Sequence, residues 1–469
     1  MSEGQGDLLI IGGGPAGYTA AIRAAQLGRR VTLVEEDKLG GECTNYACIP
    51  SKALINVAHH YARSGSLREV GIEISGIKLE WARAQAWKDQ VVARLVKGLE
   101  YLMSGYGVEV VKGRAQLAGE RRATISSERE ERKIQFRNAI LATGSEPIEL
   151  PFLRFDGRHV ISSKEAVHLA ELPRSLLIVG GGAVGIELGT AFSKLGVKVT
   201  IVEMMPHILP GFDADLVRGV HDALVASGAE VLTRSQLLSA EFKEGTTAAR
   251  VQTADGIVER KVDKVLVSVG RRPRVRGLGL QELGVGLSEK GAVKVDRQMR
   301  TNLGWLYAAG DVVGPPFLAH KAYAEAHVAA EAASGLPSEL GYRALPEVVF
   351  SDPEIAKVGM GEEEARAKGH EVITGRYPFS ALGRALTEAE TQGFAKVVAD
   401  RTTHRILGVA IVGARASDLI AEAALALELG LTLEDLALVV HAHPTLPEAL
   451  REAVASAAGM PHHQLRARL

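Results

Sequence analysis

Residues 8–35, "LLIIGGGPAGYTAAIRAAQLGRRVTLVE", align without a gap on residues 176–203, "LLIVGGGAVGIELGTAFSKLGVKVTIVE", and 13 of the 28 positions are identical. A repeat this close means that the chain folds one unit twice. Each copy opens on an apolar run, turns through glycines, continues through small residues at helical spacing and closes on a second apolar run. That is the order of a βαβ dinucleotide-binding unit. The glycines are Gly12, Gly14 and Gly17 in the first copy and Gly180, Gly182 and Gly185 in the second. The first of each set permits a tight turn, the second lets a pyrophosphate approach the backbone, and the third lets helix and strand pack closely. The helix N-terminus then offers free N–H groups and a positive dipole end to the phosphates. Each copy ends on an acidic residue 23 positions after its first glycine, Glu35 and Glu203, placed to accept hydrogen bonds from ribose hydroxyls. Glu203 would repel a 2′-phosphate, and Met204, Met205 and Pro206 supply no arginine to hold one. The second site is therefore expected to prefer NAD. Two nucleotide sites in one chain suggest an electron relay.

The 469 residues hold only two cysteines, both inside "GGECTNYACIPSK" (Gly40–Lys52). Four residues between thiols allow an intramolecular disulfide, subject to Cβ geometry. A zinc site would need further ligands at short spacing, and His59-His60 is the only nearby candidate, so no metal is expected. Inert thiols would normally be scattered through the core. Of the three readings, a redox disulfide is favoured. Lys and Arg number 55 against 56 Asp and Glu, which leaves no electrostatic footprint for nucleic acid or an anionic membrane. The start, "MSEGQGDLLIIGGG", has no basic segment before an apolar stretch, and no apolar run approaches the ~18–20 residues of a membrane span. A cytoplasmic location is expected.

With these features in place the chain resembles the flavoprotein disulfide reductase family. The resemblance rests on "GGECTNYACIPSK", on "LATGS" (Leu141–Ser145), on "VGRRP" (Val269–Pro273), on "AAGDVVGPPFLAHKA" (Ala308–Ala322), and on "VVFSDPEIAKVG" with "HAHPTLPEAL" (His441–Leu450), in the family's order. It implies an α/β fold with two Rossmann-like domains, for FAD and NAD, and a C-terminal α+β dimerisation domain. FAD would be held by Gly12, Gly14, Gly17, Glu35, Gly41, Lys52, Gly113, Thr143, Gly144, Ser145, Asp311 and Ala319. NAD would be held by Gly180, Gly182, Gly185, Glu203 and Gly270. Cys43 would exchange with substrate and Cys48 would face the flavin, with Lys52 near its N5 and paired to Glu187. His443, held by Glu448, would be the acid–base residue and would serve the partner subunit's disulfide. The implied reaction is NAD-dependent oxidation of dihydrolipoyl groups carried by the lipoyl domain of a 2-oxo-acid dehydrogenase acyltransferase, in a homodimer. Reduction of another disulfide, or a flavin-binding module without turnover, are the rival readings.

The resemblance divides the chain into an FAD-binding domain (1–146), an NAD-binding domain (147–271), a return segment to the FAD site (272–341) and a dimerisation domain (342–469). The Ala/Leu-rich run "DLIAEAALALELG" is apolar nearly all round and is expected to be buried, in part against a second subunit. Within the thiol motif the family pattern is closer to "GGTCLNVGCIPSK", so Glu42, Thr44, Tyr46 and Ala47 depart from it. Glu42 is expected to raise the Cys43 pKa where its side chain points to that thiol, and Tyr46 to narrow the substrate channel. His441 is read as structural.

Overall fold

The two copies of the repeat fold alike because the same glycines are used in the same way. In the computed structural model, which describes residues 4–128, 130–243 and 245–465, strand β1 (Gly4–Ile11) passes through the glycines into helix α1 (Pro15–Gln26) and returns as strand β2 (Val31–Glu35). The second copy forms the strand Ser175–Val179, the helix Ala183–Lys194 and the strand Lys198–Val202. Register is parallel in both, with Leu8 opposite Val31 in one and Leu176 opposite Val199 in the other. A Cβ on Gly17 would stand 1.7 Å from the Gly12 carbonyl oxygen, and one on Gly185 2.0 Å from that of Gly180. Only glycine allows each helix to lie this close to its turn.

Around β1 and β2 the first sheet runs in the order Glu109–Lys112, β2, β1, Glu131–Leu141, Arg122–Ser126, Arg114–Leu117. A late strand, Leu306–Ala308, joins Glu131–Leu141 in parallel. That addition returns the chain from the second unit to the first. The second sheet, Glu230–Leu232, Lys198–Val202, Ser175–Val179, Lys264–Val267, Val160–Ile161, is parallel throughout and carries a three-stranded antiparallel meander, Gln236–Val262. Two short strands, Ser145–Pro147 and Arg271–Pro273, pair antiparallel where the chain enters and leaves this unit. The last sheet is antiparallel, built from residues 347–413, and is covered by the helices Ala416–Leu429 and Glu448–Ala457.

Small residues set the packing that matters for the site. Ala16, Ala20 and Ala24 of α1 share a core with Ala322, Ala326 and Ala329 of the helix Ala319–Ala333, so the returning segment lies tightly along the first nucleotide helix. The Ala/Leu-rich helix Ala416–Leu429 buries Ile420, Ala423, Ala426 and Leu427 but leaves Leu425 and Leu429 exposed. Within one chain it is therefore buried on one face only, because the antiparallel sheet covers a single side of it. Leu438 and Val440 beside it are also exposed.

After β2 come the short helix α2 (Gly41–Tyr46) and the long helix α3 (Cys48–Ser66). Pro50 falls in the first turn of α3, where a missing N–H costs nothing. Helix α3 packs on Ala183–Lys194: Leu54 lies in one core with Ile186 and Leu188, and Ala58 packs with Ala191 and Leu195. Two ionic links with matching seven-residue spacing fix this pair of helices. Lys52 meets Glu187, and one turn pair further on His59 and Lys194 both meet Asp352, His59 Nδ1 at 3.1 Å. Burial alone would raise the Asp352 carboxyl, but the hydrogen bond from His59 and the charge of Lys194 outweigh it and bring it down to about 2. A depressed carboxylate adds stability above its unfolded pKa and loses it as pH falls through the folded value. Asp352→Asn is expected to cost about 1–2 kcal/mol at neutral pH and to flatten the loss of stability between pH 3.8 and about 2. Denaturant titrations across that range check this, and an acid limb unchanged in the variant would count against it.

Candidate active site

One cleft of about 980 Å³ runs between the two nucleotide units, at the upper end of the ~300–1,000 Å³ of small-molecule sites. The sequence-predicted residues of the first unit converge on it. Gly12, Gly14, Glu35, Gly41, Lys52, Gly113, Thr143, Gly144, Ser145, Asp311 and Ala319 line it, together with Cys43, Cys48 and Glu187. Gly17 stands behind, in the close contact with the Gly12 carbonyl.

At one end Glu35 accepts hydrogen bonds from the Gly13 amide and the Asp37 amide, both at 2.6 Å. Burial pushes its carboxyl up, against the pull of these two amides. Glu203 repeats the arrangement in the second unit, accepting from the amides of Gly181 at 2.6 Å and Met205 at 2.7 Å. Gly41 has φ +56 and a Cβ there would lie 2.6 Å from Gly14 Cα, so the start of the thiol segment rests directly on the start of α1. Open space remains in front of Gly182, where no atom lies within 4 Å of an added Cβ. The first turn of the second helix, Ala183 and Val184, lines the far end of the same cleft. The glycine turn of the first unit and the first turn of the second unit's helix thus face one cleft, with Lys52 on its lining. Gly270, at φ +129, accepts the amide of Ile148 where the second unit closes.

The thiols sit on two helices. Cys43 is in α2 and Cys48 is the first residue of α3, where free amides favour a thiolate. Both are free and half-buried. The neighbouring Cys48 thiol and burial push Cys43 up. Cys43, then the charge of Lys52, hold Cys48 below the ordinary thiol value despite its burial. Of the two, Cys48 is the better placed to carry negative charge. Lys52 Nζ lies 2.7 Å from Glu187 Oε2 and 4.4 Å above the Phe350 ring, and Glu187 Oε1 accepts the Phe350 amide at 3.0 Å.

One expectation about the thiol segment is corrected. The Glu42 carboxylate is turned to Arg271 at 3.3 Å and is not among the main groups that raise the Cys43 thiol. Tyr46 points at the loop after β2: its hydroxyl donates to Asp37 Oδ2 at 2.7 Å and Lys164 Nζ stands 3.9 Å from its ring centre. It lines the same cleft as Cys43.

His443 is not part of this cleft's lining. Its Nδ1 lies 3.0 Å from Glu448 Oε1, and Glu448 Oε2 accepts the Thr445 amide at 2.8 Å. Burial would raise Glu448, but the Thr445 amide and then the His443 ring outweigh it and keep the carboxyl low. The imidazole itself is 75% exposed while Glu448 is 11% exposed. His441, read as structural, is buried with Nε2 2.8 Å from Glu422.

Sequence reasoning missed two supports. Arg271, the first arginine of "VGRRP", donates from Nε to Ser145 Oγ at 2.7 Å, and Ser145 Oγ lies 2.5 Å from Asp311 Oδ2. Lys321 and Glu325 form a buried pair at 2.8 Å, with Lys321 Nζ donating to the Gly314 carbonyl and Glu325 Oε2 accepting the Gly310 amide. Together they fix the loop that presents Asp311. The signal was present: a lysine and a glutamate four apart on an otherwise alanine-rich helix. No group of three or more His, Cys, Asp or Glu suited to a metal ion exists among the described residues, and no helix there is long and apolar enough to cross a membrane.

The chain is 45% identical to a dihydrolipoyl dehydrogenase of Geobacillus stearothermophilus over 97% of both chains. It is 44% identical to dihydrolipoyl dehydrogenase 2 of Haloarcula marismortui, over 97% of this chain and 98% of that one. Among solved structures it superposes on LpdA of Mycobacterium tuberculosis with a TM-score of 0.89 at 28% identity, covering 96% of this chain and 99% of that one. The HOCl-induced flavoprotein disulfide reductase RclA of Escherichia coli, in its Cu(II) complex, gives 0.86 at 25% identity, covering 97% and 99%. The family model described as pyridine nucleotide-disulphide oxidoreductase matches residues 6–333 and that of its dimerisation domain residues 345–454. The chain belongs to the pyridine nucleotide-disulphide oxidoreductase family.

Proposed function

We infer that the protein is a dihydrolipoamide dehydrogenase, a homodimer in the cytoplasm that uses FAD and NAD to oxidise dihydrolipoyl groups on the lipoyl domain of a 2-oxo-acid dehydrogenase acyltransferase. The observation that carries the reading is the pair of cysteines beside Lys52–Glu187, in the one cleft that both nucleotide units line. The dihydrolipoyl dehydrogenases that match the chain over nearly its whole length support the substrate.

In the oxidised enzyme Cys43 and Cys48 form a disulfide. His443 of the partner subunit takes a proton from one substrate thiol, its tautomer held by Glu448. The substrate thiolate attacks Cys43 Sγ, the Cys43–Cys48 bond breaks, and Cys48 leaves as a thiolate. The helix N-terminus and Lys52 hold that charge. The second substrate thiol then attacks the mixed disulfide, releasing lipoyl and leaving Cys43 reduced. Bound FAD supplies the path by which the electron pair reaches NAD⁺ as hydride. The cleft residues Gly12, Gly14, Gly41, Glu35 and Asp311 hold the flavin nucleotide, and Gly180, Gly182, Gly185 and Glu203 the NAD. Glu203 disfavours a 2′-phosphate by charge.

The purified protein should reduce NAD⁺ with dihydrolipoamide at a kcat/KM at least about a hundredfold above that with NADP⁺. Turnover supported only by another thiol would overturn the substrate assignment. Lys52→Met should raise the pH at which Cys48 ionises, read as thiolate absorbance of the reduced protein. An unshifted titration would remove Lys52 from its role. Cys43→Ser and His443→Gln protomers, each inactive alone, should recover about a quarter of the parental activity when mixed and allowed to exchange. Half the dimers are then mixed and each of those holds one complete site. No recovery in verified mixed dimers would place His443 outside the partner's site.

A further inference from the structure

Glu42 and Tyr46, two of the four residues of the thiol segment that depart from the family pattern, belong to a larger arrangement. The 36–46 loop between β2 and α3, which contains the short helix α2, carries three acids, Glu36, Asp37 and Glu42, that face the second unit and the stretch returning from it. Opposite them stand Lys164, in the helix Ser163–Ala166, and Arg271 and Arg274, on and just after the strand Arg271–Pro273. Glu36 Oε1 lies 2.5 Å from Arg274 Nη2, and Glu42 Oε1 3.3 Å from Arg271 Nη2. Lys164 Nζ lies 3.9 Å from the Asp37 oxygen that accepts the Tyr46 hydroxyl, and equally close to the Tyr46 ring. All of these residues line the dinucleotide cleft. Each ion pair ties the 36–46 loop to the far wall, and none ties the loop to itself.

We propose that these pairs are an electrostatic clasp that holds the 36–46 loop across the cleft and sets how long bound FAD is retained. The proposal rests on FAD occupying the first nucleotide unit. Helix α1 points its N-terminus at the cleft, and Gly41 lies against Gly14, so the flavin diphosphate belongs beside Glu42. Left unpaired, the acids of the loop would repel that diphosphate. Paired with Lys164, Arg271 and Arg274, they are neutralised and the loop is drawn over the ligand. Every pair is partly exposed, so each contributes little alone and is screened by salt. They bridge the same gap, so their effects are coupled.

The test is the rate at which the holoenzyme releases flavin after dilution, followed as the fluorescence of free FAD at low and high salt. Glu36→Gln and Arg274→Gln should each speed release about two- to fivefold at low salt, and the double variant should release no faster than the worse single. Exchanging the charges, Glu36→Arg with Arg274→Glu, should restore the parental rate to within about twofold. High salt should speed release from the parent toward the rate of the variants. Glu42→Thr, in a different pair, should show the same weakened response to salt. Release at the parental rate in the singles, multiplying effects in the double, or an exchanged pair as fast as the singles would each overturn the clasp. A parent purified without flavin would overturn the FAD reading, and the clasp with it.

Discussion

The ion pair between Lys52 and Glu187 joins helices from different nucleotide units, and the geometry of the cleft depends on it. Lys52 lies one turn into α3, four residues after Cys48, and Glu187 lies one turn into the second unit's helix. Glu187 is almost wholly buried, and a buried carboxylate without a cation is costly. The two helices are thus held at the spacing that this contact requires. Because α3 begins at Cys48, the same contact sets where the thiols stand relative to both units. Phe350 closes the third side, with its amide on Glu187 and its ring under Lys52, so the C-terminal domain enters the same arrangement.

What was legible in the sequence was what depends on local geometry. The glycine pattern is forced by a helix lying so close to its turn that an added Cβ would stand 1.7 and 2.0 Å from the turn's carbonyl oxygens, so it survives in both copies and is readable in either. The Lys52–Glu187 pair was legible only through the family resemblance, since 135 residues separate its members. What escaped were partnerships decided by side-chain direction. Position 42 lies next to Cys43 in sequence, yet in α2 successive side chains diverge by about 100°, and Glu42 turns away to Arg271. Tyr46 follows Asp37 and Lys164 for the same reason. Arg271 was visible as part of a motif, but nothing local says that it reaches Ser145, 126 residues away.

The Cys43–Cys48 asymmetry shows how one short segment divides the chemistry. Both thiols are partly buried and each bears on the other's ionisation. Their proximity alone would favour neither as the thiolate. The difference is one of position: Cys48 opens a 19-residue helix and has Lys52 one turn along the same helix, whereas Cys43 sits within a six-residue helix. Negative charge is therefore better supported on Cys48. The better-supported thiolate is the better leaving group, so attack on their disulfide is directed to Cys43 and Cys48 departs.

The position of His443 completes this logic on the proposed reading. Its carboxylate, Glu448, is buried and held by an amide, while the ring it orients is largely in solvent. A histidine fixed in this way at Nδ1 presents Nε2 outward, and its own chain's cleft is not what it faces. Orientation of a base is useful only where a proton is to be moved, and on that reading the thiols it serves are those of a partner copy. Leu425, Leu429, Leu438 and Val440 lie exposed on the same domain, an apolar surface of the kind that self-association covers. Under twofold symmetry, covering that surface brings each His443 to the other chain just as it brings the other chain's His443 back. The base, the apolar surface and the dimerisation domain then follow from a single requirement: an active site divided between two copies of one chain.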